Sequence, residues 1–338
     1  MSMLVINVVM AESEQYVIKF AHADIGNPLI TSNAAFSDVF KMKVESYTNG
    51  RVKVNVFPEG QLGDQVSLTQ QIKSGEIEMG IVAGGVLSSL VYPPISFESL
   101  PYIFPNSEIA EDILVMDNSF IEEMGKEVEK KTGIGILSIC PIGYRCLTNN
   151  ERVIKNPDDM KGLKIRVMQV KPHIEMINAT GALAVPIPYL EVYTSLQTGV
   201  IDGQENPISV TSAMNFQEVQ KYLTLNNHVL HSFFTIYNAE YFNKLPEDIK
   251  TSIYRAAKEA RVAAMGINHI RETIILDEFR KQNINIYIPT EAELQEFKKI
   301  MQPPALDWYK KNVENGEDIL NELQNEIKEA EEKYKKVF

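Results

Sequence analysis

Cysteine is scarce in this 338-residue chain: Cys140 and Cys146 are the only two, which excludes a disulfide framework and any four-thiolate metal centre. They could bridge only if the backbone folds back sharply between them, so the sequence reads them as unlinked thiols packed as small hydrophobes. Basic charge is in deficit: 33 Lys+Arg against 45 Asp+Glu leave a formal net charge of -12. No run of Lys or Arg offsets it, so the chain is not expected to coat a phosphate backbone, and nucleic acid is not an expected partner. Apolar runs long enough to span a bilayer, ~18–20 residues, are missing. So are the common catalytic signatures: there is no Gly-x-Ser-x-Gly elbow, no phosphate loop and no His-Glu-x-x-His. Gly133-Ile134-Gly135 lacks the third glycine of a dinucleotide fingerprint and reads as a loop into a strand at 136–140. His228 and His231 flank Val229-Leu230 in a strand, which sends them to opposite faces and argues against a shared metal. No cofactor and no metal are expected.

What remains is ordinary globular composition, 44% hydrophobic and 23% charged, with a length that suggests about two domains of roughly 150 residues. Met3 to Ala11 is a short apolar run ending in a small residue, like the core and cleavage site of a secretory signal without its basic start. Residues 1–15 are therefore read as a signal remnant, and export is expected.

From Tyr16 the chain alternates strand and helix. Residues 16–20 form a strand, 28–47 carry a helical apolar pattern, and Val52, Val54 and Val56 share one strand face. Asp64 is placed to cap a helix ending at Gly75, and 77–82 is a second buried strand. The cadence returns at 163–167, 172–180, 182–185 and 189–198, with Gly181 and Gly199 as helix stops. Gln71-Ile72-Lys73-Ser74-Gly75-Glu76-Ile77-Glu78 is echoed by Ser195-Leu196-Gln197-Thr198-Gly199-Val200-Ile201-Asp202, which suggests two lobes of similar α/β construction. A helix over 247–274 is long enough to run across both, at about 1.5 Å per residue. Residues 283–288 are strand-like, and 316–338 are an amphipathic helix with a solvated charged face.

Arginine placement carries the candidate chemistry. Arg166 lies on the strand face opposite Leu163, Ile165 and Val167, so it either reaches a cleft or must be paired. Its guanidinium is the side chain suited to bidentate capture of a carboxylate. Arg145, after Gly143-Tyr144 at a strand end, is placed to act beside it. For each arginine alone, a salt bridge is an equal competitor.

Four motifs then fall in one order and spacing: Gly60-Gln61-Leu62-Gly63-Asp64, Ser99-Leu100-Pro101-Tyr102, Met160-Lys161-Gly162-Leu163-Lys164-Ile165-Arg166-Val167 and Asp202-Gly203-Gln204-Glu205-Asn206-Pro207. Over nearly the whole chain the sequence resembles the solute-binding proteins of tripartite ATP-independent periplasmic (TRAP) transporters, of the dicarboxylate/sialic-acid-binding type. The resemblance implies an extracytoplasmic, non-enzymatic monomer that hands a small carboxylate ligand to TRAP membrane permease subunits. It implies a two-lobed periplasmic-binding-protein architecture with a ligand cleft between lobes and a long helix spanning both. By correspondence, 16–142 plus 232–271 make the first lobe and 143–231 plus 272–338 the second.

The same resemblance implies Arg166 as the principal partner of the ligand carboxylate, with Arg145, Asn206 and Tyr189 beside it. Asp64 is a pocket candidate that competes with its own capping role, and Gln204 adds a hydroxyl partner. Where sialate binders carry a pocket acid, this chain has Ala83-Gly84-Gly85, which argues against sialic acid. A sugar acid such as a uronate or aldonate is favoured, with a four-carbon dicarboxylate using one arginine per carboxylate close behind. An exported enzyme, using Tyr193, His173 or Asp202 beside Arg166, and a ligand-dependent sensor are the alternatives.

Overall fold

The computed structural model describes residues 15–335. The apolar run from Met3 to Ala11 and its reading as a signal remnant lie outside them. Among the described residues nine strands form one sheet. They are β1 (Tyr16–Ala21), β2 (Val52–Phe57), β3 (Met79–Ala83), β4 (Ile134–Asn149), β5 (Lys164–Val167), β6 (Leu183–Pro186), β7 (Gly203–Pro207), β8 (Tyr222–Asn238) and β9 (Asn285–Tyr287). The order is β2-β1-β3-β8-β4-β7-β5-β6, with β9 added to β8.

That order reads as two copies of one plan meeting at β8 and β4. In the first half β1 pairs in parallel with β2 and β3, and β3 runs antiparallel to β8. In the second, β5 pairs in parallel with β6 and β7, and β7 runs antiparallel to β4. The repeated octapeptides occupy matching places: Gly75 and Gly199 both take left-handed backbone, φ +82 and +72, as helix stops. Three residues beyond each, Glu78 Oε2 accepts the Lys19 amide and Asp202 Oδ2 accepts the Lys164 amide, both at 2.7 Å.

Strands β4 and β8 pass through both lobes. Their pairing loses register between Pro141 and Tyr144, the stretch where the sequence reading sets the passage from one lobe to the other. Gly143 allows this bend with φ +95. The long helix Glu247–Lys281 spans the molecule as well. Ile249, Ile253 and Ala260 pack with Phe36 and Phe40 in the first-lobe core, while Ile275 and Phe279 pack with Cys146 and Leu223. It runs seven residues beyond the expected end, because Phe279 is buried where the exposed Ile270 and Ile274 had blurred the apolar stripe.

The C-terminal assignment needs correction. The sequence reading puts 272–338 in the second lobe, yet Leu320, Leu323 and Ala330 of helix Gly316–Lys335 lie in the cluster with Ile109, Ile113 and Phe120. The preceding helix Glu291–Asn312 crosses back: Phe297 and Met301 join the second-lobe core, and Ala305 and Tyr309 the first. Tyr309 Oη donates to the Pro94 carbonyl at 2.7 Å. Amphipathic spacing finds the buried stripe of such a helix but does not say which lobe receives it.

Candidate ligand-binding site

A cavity open to solvent lies between the lobes. Asp64, Gln65 and Ala83 line it from the first lobe; Arg166, Tyr189 and Asn206 line it from the second. Backbone geometry sets these positions. Gln65 begins the helix Gln65–Ser74, which Asp64 caps by accepting the Ser67 amide at 2.8 Å. Gln65 Oε1 in turn accepts the Ala83 amide at 2.8 Å, tying that helix to the end of β3. Arg166 sits on β5 between Val185 of β6 and Gln204 of β7.

Arg166 is 3% exposed, and its Nε donates to the Ile187 carbonyl at 2.9 Å. Its Nη1 is buried with no partner among the described residues, and no carboxylate there pairs with it. Burial, and then the like charge of Arg145, pull its pKa down to about 10, so it stays cationic at neutral pH.

Arg145 is arranged differently. Expected at a strand end facing the ligand, it lies within β4 and is fully buried, and it does not line the cavity. Its fork grips Glu205: Nη2 donates to Oε1 at 2.9 Å, while Nε donates to Oε2 and Nη2 also meets the Glu205 carbonyl. His228 Nε2 stands 3.2 Å from Glu205 Oε2, and His173 Nδ1 stands 3.4 Å from Oε1. Burial alone would raise the Glu205 pKa, but Arg145 and the two histidines hold its carboxyl well below the usual range. Burial lowers the pKa of His173, His228 and His231, which are therefore neutral. Arg145 and Glu205 cancel, leaving Arg166 as the uncompensated cation of this constellation.

Gln204 is likewise behind the site. Its Nε2 donates to Thr148 Oγ1 at 2.9 Å, and its Oε1 accepts from Asn206 Nδ2 at 2.6 Å, so it orients Asn206 without lining the cavity. Asp64 keeps both expected roles open, as cap and as lining residue.

His231 and Gln65 are polar lining residues that sequence reasoning misses. Strict alternation separates His231 from His228, yet the irregular β4–β8 pairing brings both histidines to the Arg145–Glu205 pair. Arg145 Nη1 donates to His231 Nδ1 at 3.2 Å, which fixes the neutral ring with its proton on Nε2. No local signal marks this. At Ala83-Gly84-Gly85 backbone and side chains approach closely: a Cβ on Gly84 would come within 2.5 Å of the buried Glu98 carboxyl.

A family model described as bacterial extracellular solute-binding protein, family 7, matches residues 24–312. The chain belongs to this family. Its relatives include the 2,3-diketo-L-gulonate-binding periplasmic protein YiaO of Escherichia coli, 27% identical over 281 residues, 83% of this chain and 84% of that protein. The C4-dicarboxylate-binding periplasmic protein DctP of Rhodobacter capsulatus is 32% identical over 260 residues, 76% of this chain and 75% of that protein. Among solved structures, the sugar acid binding protein DctPAm of Advenella mimigardefordensis in complex with galactonate matches with TM-score 0.86 at 27% identity. That match covers 94% of this chain and 99% of the other. This family 7 protein is an extracytoplasmic TRAP-type solute-binding protein for organic acids; it is not an enzyme.

Proposed function

We propose that the protein captures its acid by an ion pair between the ligand carboxylate and Arg166. The observation that carries this reading is a buried guanidinium with an unpartnered Nη1 and no internal carboxylate, facing a cavity between two lobes. A carboxylate there supplies the missing partner, and closure of the lobes removes the water that would weaken the pair. An uncharged ligand leaves Arg166 buried and unpaired, so selectivity for anions follows from that penalty. Asn206 and the His231 Nε2–H add hydrogen bonds, with Arg145 as a positioning residue that holds His231.

A sugar acid is the favoured ligand. Asn206, Tyr189, His231, Gln65 and Asp64 offer polar partners for hydroxyls, and similarity to galactonate- and diketogulonate-binding proteins supports the same class. A four-carbon dicarboxylate, the ligand named for the Rhodobacter relative, has less support, because Glu205 occupies the arginine that would take its second carboxylate. One chain supplies both walls of the cavity, consistent with action as a monomer.

Isothermal titration with the acid found by a thermal-shift screen of sugar acids and dicarboxylates tests the ion pair. Arg166→Ala should cost about 3–5 kcal/mol, roughly two to four decades in affinity. A variant that binds within threefold of the parent protein refutes the assignment.

A further inference from the structure

A second, smaller cavity adjoins the first, and Tyr189, Val210 and Phe233 line both. It has room for about one water-sized group. Two polar side chains on its wall are unsatisfied. Asp24, 4% exposed and just beyond β1, uses Oδ2 to accept from Asn33 Nδ2 at 2.8 Å, while its buried Oδ1 has no partner. Ser209 Oγ, on the short helix Ile208–Ala213 after β7, is also buried and unpartnered. The Tyr189 hydroxyl donates toward the Asp24 carboxyl from the same wall, while Oδ1 keeps no partner at full hydrogen-bond geometry.

A buried acceptor oxygen and a buried hydroxyl left without partners beside one small cavity are costly, since each forgoes the hydrogen bonds water would give it. Asn33 already satisfies the structural need at Asp24. One oxygen comes from the first lobe and the other from the second, so a group seated between them bridges the lobes.

We infer that this cavity is the subsite for a single hydroxyl of the bound acid, which donates to Asp24 Oδ1 and accepts from Ser209 Oγ. The inference rests on the Arg166 reading, because the carboxylate at Arg166 fixes which end of the ligand reaches the subsite. It makes the protein select hydroxylated acids over deoxy counterparts, as a site built around a hydroxyl leaves its own groups unpaired when that hydroxyl is missing.

The test is calorimetry with C4 to C6 aldonates and uronates, galactonate among them, and their monodeoxy analogues. In the parent protein, loss of one particular hydroxyl should weaken binding about 10- to 100-fold. In Asp24→Ala and in Ser209→Ala that preference should shrink to within about threefold, while the undecorated acid retains its affinity. Ser209→Ala removes an oxygen that bonds nothing in the fold, so it reads the subsite even if Asp24→Ala does not fold. The inference is overturned if no hydroxylated acid outbinds its deoxy analogue, if the preference survives in a folded variant, or if the amino counterpart binds more tightly. Loss of binding in Arg166→Ala together with a preference indifferent to both variants sinks the subsite and leaves the ion pair standing. Binding unaffected by Arg166→Ala sinks the reading beneath it.

Discussion

Two arginines on the strands either side of β7 have opposite fates, and the partner decides which. Arg145 has a carboxylate at its fork and is part of the fold's internal charge balance; Arg166 has a carbonyl at Nε and an open Nη1. Arg166→Lys therefore tests more than charge. An ammonium is a point donor that cannot reproduce a bidentate fork, so we expect lysine to retain only a minor fraction of the affinity, measured by the same titration. Glu98 supplies a separate residue-scale prediction. Burial pushes its carboxyl up to about 7, against weaker opposing pulls from the Ser99 hydroxyl and Arg145. The folded state thus prefers the neutral acid. The resulting contribution is complete below the ordinary value of 4.5 and is lost as pH rises through about 7. Glu98→Gln removes that loss. Its stability relative to the parent protein should rise by about 3 kcal/mol between pH 4.5 and pH 8, read from denaturant midpoints. A flat difference across that range contradicts the burial argument.

Between neighbouring elements, two glycines separate conformational cost from close approach. Gly75 ends the first-lobe helix at φ +82, and a Cβ there meets only Asn238 at ordinary contact distance. Gly75→Ala should cost about 1–2 kcal/mol from backbone alone and leave ligand affinity unchanged. Gly80 in β3 has ordinary φ, but its Cβ would stand 2.7 Å from the Ala21 carbonyl of β1. Those two strands lead to Ala83 and Ala23 at the cavity wall. Gly80→Ala should therefore lower both melting temperature and affinity, and equal affinity in the two variants would contradict the distinction. The helix stops, the Asp64 cap and the valine alternation of β2 are legible in the sequence because each depends on contacts within a turn or a strand. The length of helix Glu247–Lys281 was less legible, since its last turns are held by Cys146 and Leu223 from β4 and β8.

The whole molecule is two similar halves joined by shared strands and crossing helices, so shielding of its interior tracks global folding. Cys140 and Cys146 show this: both are free and buried, and burial pushes each thiol up to about 12. Neither should react with a thiol reagent in the native state at pH 8, and both should react on unfolding, counted by absorbance with dithionitrobenzoate. A native stoichiometry near one would show that one strand of the core opens readily.

The sequence alone determined the strand–helix rhythm, the two-lobed plan and the candidate status of Arg166, Asn206, Tyr189 and Asp64. The rhythm follows from periodicity and Arg166 from its strand face, while the two-lobed plan and the other candidates follow from the resemblance that the spaced motifs carry. Only the tertiary structure decided that Glu205 occupies Arg145, that Gln204 stands behind Asn206, and that His231 reaches the cavity. It also placed the C-terminal helix on the first lobe. The physical reason is the same in each case: whether a buried polar or apolar group is free or satisfied depends on what distant segments bring within reach, and chain spacing does not encode that distance.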